Sequence, residues 1–179
     1  ITYIYSGDSI QTAINDASAG DNIIFETGTY DGLTTFIEIN KNLTIEGNNQ
    51  KVNAGISITN NAKVTINNLS IENVGDNVSG LSSGIENIIV GVRSGILKAN
   101  NLNIKDSRSL DGVNLVGISV QGGSELELYD SEFILSDMDQ SLVYGVYAQP
   151  NSIATIDNNT FDLDNNRRTL GVGVELSGS

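Results

Sequence analysis

The sequence has no cysteine, no histidine, no tryptophan and a single proline. Without cysteine there is no disulfide framework and no thiolate metal site. Without histidine the commonest general base, Ser-His pairs and imidazole–zinc sites are excluded. Basic residues are scarce: nine Lys and Arg stand against 22 Asp and Glu, for a formal net charge of −13. A chain so acidic lacks the basic stripe that replaces phosphate counterions, which argues against nucleic acid and anionic lipid as partners. No apolar run approaches the roughly 20 residues that a membrane-spanning helix needs, so no membrane insertion is expected.

What is present is aliphatic and turn-rich. Hydrophobic residues make up 39% of the 179, yet aromatics only 6%, so the core must be built from Ile, Val and Leu. The chain holds 23 Asn and 19 Gly, a composition that favours strands and tight turns over helix. Its length suits one domain, residues 1–179.

The chain repeats. Asn42-Leu43-Thr44-Ile45-Glu46 recurs as Asn68-Leu69-Ser70-Ile71-Glu72 and as Asn101-Leu102-Asn103-Ile104-Lys105, then loosens to Glu132-Phe133-Ile134-Leu135 and Thr160-Phe161-Asp162-Leu163. The anchors Leu43, Leu69, Leu102, Phe133 and Phe161 lie 26, 33, 31 and 28 residues apart. Upstream of each anchor stands a second alternating strand: Val64-Thr65-Ile66, Leu97-Lys98-Ala99, Leu126-Glu127-Leu128, Ala154-Thr155-Ile156. A third stands further upstream: Ile56-Ser57-Ile58, Val90-Gly91-Val92, Ile118-Ser119-Val120, Val146-Tyr147-Ala148, with Val172-Gly173-Val174 opening another copy.

Each repeat thus carries three strands of period two, apolar residues inward and polar residues outward. One such strand buries too little alone; stacking like strands at about 4.8 Å buries a continuous core. The pattern predicts an all-β fold: a single right-handed parallel β-helix, or β-solenoid. Three short strands should form each coil, with about five to six coils over residues 21–179. Ile56, Val90, Ile118, Val146 and Val172 should share one interior column. The corner between the second and third strands reads Asn67-Asn68, Asn100-Asn101, then Tyr129-Asp130-Ser131-Glu132 and Asp157-Asn158-Asn159-Thr160. Asn tolerates the left-handed conformation of a tight corner and can hydrogen-bond from coil to coil. Insertions gather at one place, 75–87, 107–114, 137–142 and 164–169, and build one variable face.

The start does not repeat. Ile10, Ala13, Ile14 and Ala17 form one face of a short helix over residues 8–18, with Asp8 or Ser9 as N-cap and Gly20 as stop. It should cap the N-terminal end of the core. At the other end, Val172, Val174 and Leu176 read as an uncovered strand. That edge predicts either a longer chain or assembly, or self-association through the C-terminal edge.

Residues 8–49 resemble the opening of pectate lyase-like right-handed parallel β-helix proteins. The resemblance is carried by Ser9-Ile10-Gln11-Thr12-Ala13-Ile14, Ala19-Gly20-Asp21-Asn22-Ile23-Ile24, Gly28-Thr29-Tyr30 and Ile39-Asn40-Lys41-Asn42-Leu43-Thr44-Ile45-Glu46-Gly47. In style the chain is closest to the adhesin-like repetitive surface proteins of anaerobic bacteria and methanogenic archaea. The resemblance covers nearly the whole chain and implies the fold. It brings no pectinesterase-type or polygalacturonase-type catalytic signature that maps onto these residues, and fold alone assigns no activity.

Candidate binding residues lie on the outer side of the first strand of each coil: Arg93, Ser119, Gln121, Tyr147, Gln149 and Glu175. Together they offer hydrogen bonds and a ring for a sugar. No catalytic residue is assigned, since a glycosidase needs two facing carboxylates at defined separation. Asp137 and Asp139, two apart in a loop, are the candidate ligands for Ca²⁺, with no cofactor required. Asp162, Asp164 and the pair Arg167-Arg168 read more simply as solvated or ion-paired loop residues.

The expectation is therefore a non-catalytic extracellular or cell-surface module, adhesin-like, that binds a polysaccharide or surface glycan on one face. The alternatives are a fragment of a polysaccharide lyase or hydrolase, and a self-assembling fibre or coat subunit.

Overall fold

Period-two alternation becomes extended chain wherever it occurs. The computed structural model describes residues 1–31, 33, 36–74, 86–108, 113–137, 142–165 and 171–176. In chain order the first half carries β1 (Thr2–Ile4), α1 (Ile10–Asp16), β2 (Asp21–Phe25), β3 (Ile37–Ile39), β4 (Leu43–Val52), β5 (Ile56–Ile58), β6 (Ala62–Glu72) and β7 (Glu86–Val92). The second half carries β8 (Gly95–Arg108), β9 (Asn114–Val120), β10 (Glu125–Tyr129), β11 (Glu132–Asp137), β12 (Val143–Ala148), β13 (Ile153–Asp157), β14 (Thr160–Asn165) and β15 (Gly171–Leu176).

The strands form two parallel sheets, and the chain shuttles between them. One sheet runs β1-β2-β4-β6-β8-β10-β13, with β11 pairing both β8 and β14. The other runs β3-β5-β7-β9-β12-β15. Every strand pairing among the described residues is parallel. Parallel stacking in register lets like apolar residues on neighbouring strands bury one another. The register supplies this: Leu43, Val64, Leu97, Leu126 and Ala154 form one ladder, and Ile45, Ile66, Ala99, Leu128 and Ile156 the next. All but Ala154 and Ile156, at the far end, are fully buried.

In the second sheet the inward ladder is Ile37, Ile56, Val90, Ile118, Val146 and Val174. This corrects the expected column by two residues, since Val172 pairs with Tyr144 instead. The cause is a glycine that takes an inward place. In β9, Leu115 and Ile118 join the core and Val116 packs in a separate apolar cluster with Ile88 and Tyr144. A Cβ on Gly117 would lie 2.9 Å from the buried Phe133 ring. Gly145 and Gly173 face Phe161 in the same way, so Val172 takes the position of Val116 and Val174 that of Ile118.

The corner asparagines are left-handed, as their chemistry requires. Asn68, Asn101, Asp130 and Asn158 have φ of 53°, 52°, 50° and 54°. Their side chains stack: Asn101 Nδ2 donates to Asn68 Oδ1 at 2.9 Å, Asn100 Nδ2 to Asn67 Oδ1 at 2.8 Å, and Asn158 Nδ2 to Asp130 Oδ1. One left-handed residue bends the strand so little that β6 and β8 run through the corner unbroken, where separate strands were expected.

Ser9 caps α1 by accepting the Thr12 N–H at 3.2 Å, and Lys41 Nζ donates to the Asn15 and Ala17 carbonyls at its other end. Ile10 and Ile14 are buried, and the helix packs on β3 and β1. The strand β1 is an addition that no repeat announced. At the far end Val174 and Leu176 are 37% and 69% exposed. The insertions at 75–85, 109–112, 138–141 and 166–170 lie outside the described residues.

Candidate functional site

The binding residues expected from sequence fall on two neighbouring ladders of the second sheet. Glu38, Ser57, Gly91, Ser119, Tyr147 and Glu175 stand side by side on successive strands, on the side opposite the core. Just beyond the strand ends, Arg93, Gln121 and Gln149 repeat one another. Their N–H groups donate to Ile58 O, Val92 O and Val120 O at 2.9, 3.0 and 2.9 Å. The residues are thus brought together, but not all are presented. Ser119 is only 1% exposed, which corrects its expected place on an open surface. Ser57, on the same ladder, is likewise only 2% exposed. Tyr147 itself leans on Tyr144, ring centroids 5.4 Å apart, in the second apolar cluster. Arg93, Gln121, Gln149 and Glu175 remain partly exposed.

Of the candidate calcium ligands, Asp137 is the last residue of β11, in register with Arg108 and Asn165, and Asp139 lies outside the described residues. Arg167 and Arg168 lie outside them as well. Among the described residues no three acidic groups converge as a metal site would need.

A recess lies elsewhere, near the N-terminal end. Two clefts, about 450 and 380 Å³, meet at Thr29, Tyr30 and Asp31. The first is walled by Asn49–Asn53 at the end of β4 and by Glu72 and Asn73 at the end of β6. The second is walled by Ser6, Gly7 and Asp8. Volumes of this size suit a small-molecule or short oligomeric ligand.

The walls are held by side chains bonded to backbone. Gln50 Oε1 accepts the Gly28 N–H at 3.1 Å while its Nε2 donates to Asn48 O at 2.9 Å. Asn53 Oδ1 accepts the Leu33 N–H at 3.2 Å, and Ser6 Oγ donates to Thr29 O at 3.2 Å. Tyr30, 4% exposed, has its hydroxyl 2.8 Å from Ile4 O and 2.7 Å from Glu26 O. Burial raises its pKa above the ordinary 10.0, and the carboxylates of Asp8 and Glu26 raise it further. At the wall of the first cleft Lys51 Nζ and Glu72 Oε2 pair at 3.1 Å, with side chains 68% and 22% exposed.

Nothing in the sequence pattern pointed here. The groove is assembled from four separate segments, and its residues follow no shared motif. The signal available was Gly28-Thr29-Tyr30, which breaks the alternation after β2. Compared with known proteins, the chain matches no protein-family model, no curated protein and no solved structure.

Proposed function

We propose that this chain is a right-handed parallel β-helix module of an extracellular, adhesin-like surface protein, and that it binds a glycan without processing it. The observation that carries the reading is the repeated register. Successive repeats add strands to both sheets, and each inner strand pairs in parallel with the one before and the one after. A chain that climbs in this way makes a long rod with polar ladders on its flanks, a form suited to display and to lateral contact with a polymer. Many of its polar groups are amides and hydroxyls, which hold sugar hydroxyls well and transfer protons poorly. The test is to incubate the chain with a panel of soluble polysaccharides and follow retention and chain cleavage together. Retention with no new reducing ends and no unsaturated sugar supports the reading. Cleavage would replace it with a lyase or hydrolase.

A second reading is self-assembly, and the exposed Val174 and Leu176 on β15 favour it. Among the described residues β15 pairs on one side only. Sedimentation velocity across salt concentration separates the two, because end-to-end stacking should strengthen as salt screens the charge of −13.

A further inference from the structure

The geometry points to the N-terminal groove as the glycan site, and to an uncharged sugar chain as its ligand. This rests on the glycan-binding reading above and gives it a place and a chemistry. The centre is the Lys51–Glu72 pair, which sets an ammonium donor 3.1 Å from a carboxylate acceptor at the wall of the larger cleft. A sugar presents the complement. Each hydroxyl both donates and accepts, so of two hydroxyls on adjacent ring carbons one accepts from Lys51 while its neighbour donates to Glu72. Both contacts are charge-assisted and neither requires the ion pair to break. The amides of Asn49 and Asn73 line the same cleft and extend the alternation of donor and acceptor.

Charge and desolvation decide against acidic and apolar ligands. Among the described residues that line the groove, the carboxylates Asp8, Asp31 and Glu72 stand against one ammonium, that of Lys51. A uronate or sulfated sugar would bring a further negative charge to this surplus, within a chain already at −13. An apolar ligand would strip water from the amides without replacing their hydrogen bonds. The two clefts share Asp31, so a sugar chain leaving the larger cleft meets this carboxylate before it reaches the smaller one. The hydrogen bonds that fix Gly28, Thr29 and Leu33 hold the walls before a ligand arrives, which spares the ordering that a floppy site would need.

Titration calorimetry on the full chain tests this, with soluble neutral oligosaccharides (glucan, mannan, galactan and xylan fragments) beside polygalacturonate and alginate fragments. The unaltered chain should bind a neutral fragment and ignore the acidic ones. Lys51→Ala and Glu72→Gln should each weaken that binding about tenfold, the effect of losing one charge-assisted bond. Asp31→Asn should admit acidic fragments that the parent rejects. Because Lys51 is largely exposed, the melting temperatures should hold, which confirms that the variants fold. If a neutral fragment binds and both variants bind it like the parent, the glycan site lies elsewhere and this inference alone fails. A parent that prefers acidic fragments overturns it too. If no glycan binds at all, the glycan-binding reading falls and takes this inference with it.

Discussion

The side-chain amide of Gln11 occupies both backbone groups of Glu38: Nε2 donates to the Glu38 carbonyl at 3.0 Å, and Oε1 accepts the Glu38 N–H at 2.8 Å. Glu38 is the middle residue of β3, the outermost strand of its sheet. A helical side chain thus stands where another strand would pair, and the edge is closed to other chains. Gln11→Ala should lose about 1 kcal/mol and lower the melting temperature by about 2–4 °C. Gln11→Glu keeps the acceptor and loses the donor, and should fall between. Calorimetry measures the loss, and light scattering should show increased association of the Ala variant. Equal melting temperatures in all three would mean that the helix closes the end by burial of Ile10 and Ile14 alone.

Much of the fold was legible because burial and periodicity speak the same language. Leu43, Val64, Leu97 and Leu126 alternate with polar residues in sequence and stack in one buried ladder. The Asn corners were legible for a related reason: few other residues accept φ near 50°. The register of β15 was not. Val172 and Val174 are both two-periodic, so alternation accepts either as the partner of Val146. The tie is broken by Gly173, which aligns with Gly117 and Gly145 because each lies against a phenylalanine ring. The groove was illegible because register, not spacing, brings Thr29, Lys51 and Glu72 together.

That glycine column gives the second prediction. A Cβ on Gly145 would sit 2.6 Å from Gly173 O and overlap the Phe161 ring, which stacks on Phe133 with centroids 4.9 Å apart. Gly145→Ala should therefore cost about 1–3 kcal/mol, the usual penalty of overpacking. At Gly173 the nearest atoms of the same ring are 3.6 Å away, ordinary contact, so Gly173→Ala should stay within about 0.5 kcal/mol. Adding Phe161→Leu should recover part of the Gly145→Ala loss, since the two changes share one space. Urea unfolding of the three variants reads the differences, and equal costs at the two glycines would refute the packing account.

Two buried serines should respond in opposite ways. Ser131 Oγ accepts the Leu102 N–H at 3.0 Å and donates to Tyr129 O at 2.8 Å. Ser119 Oγ is buried without a hydrogen-bond partner among the described residues. Removing a paired buried hydroxyl strands its partners, while removing an unpaired one relieves a desolvation penalty. Ser131→Ala should lose about 1–3 kcal/mol, and Ser119→Ala should match the parent or exceed it by up to about 1 kcal/mol. Ser119→Ala should also leave glycan affinity unchanged. A weakened affinity there would restore the outer ladder of the second sheet as the binding face.

The last prediction concerns alkali. Tyr30 lies under the ridge where the two clefts meet, and its hydroxyl bridges the Ile4 and Glu26 carbonyls that tie β1 to the chain after β2. Burial, then the charges of Asp8 and Glu26, raise its pKa above the ordinary 10.0. The folded state therefore holds this proton more tightly than the unfolded chain does. The sign follows from linkage: the contribution is complete below pH 10, the unfolded value, and is lost as pH climbs through the higher folded value. Ionised Tyr30 could no longer donate to either carbonyl, and its charge would be buried beside two carboxylates. Stability of the parent should fall more steeply above pH 10 than that of Tyr30→Phe. At neutral pH the Phe variant should be the weaker by about 1–2 kcal/mol, because it loses the hydroxyl's hydrogen bonding to the Ile4 and Glu26 carbonyls. The two stability curves should therefore converge as pH rises. Parallel curves across the alkaline range would show that the Tyr30 proton is not linked to folding, and that the ridge between the clefts is held by the Ser6 and Gln50 contacts to Thr29 and Gly28 instead.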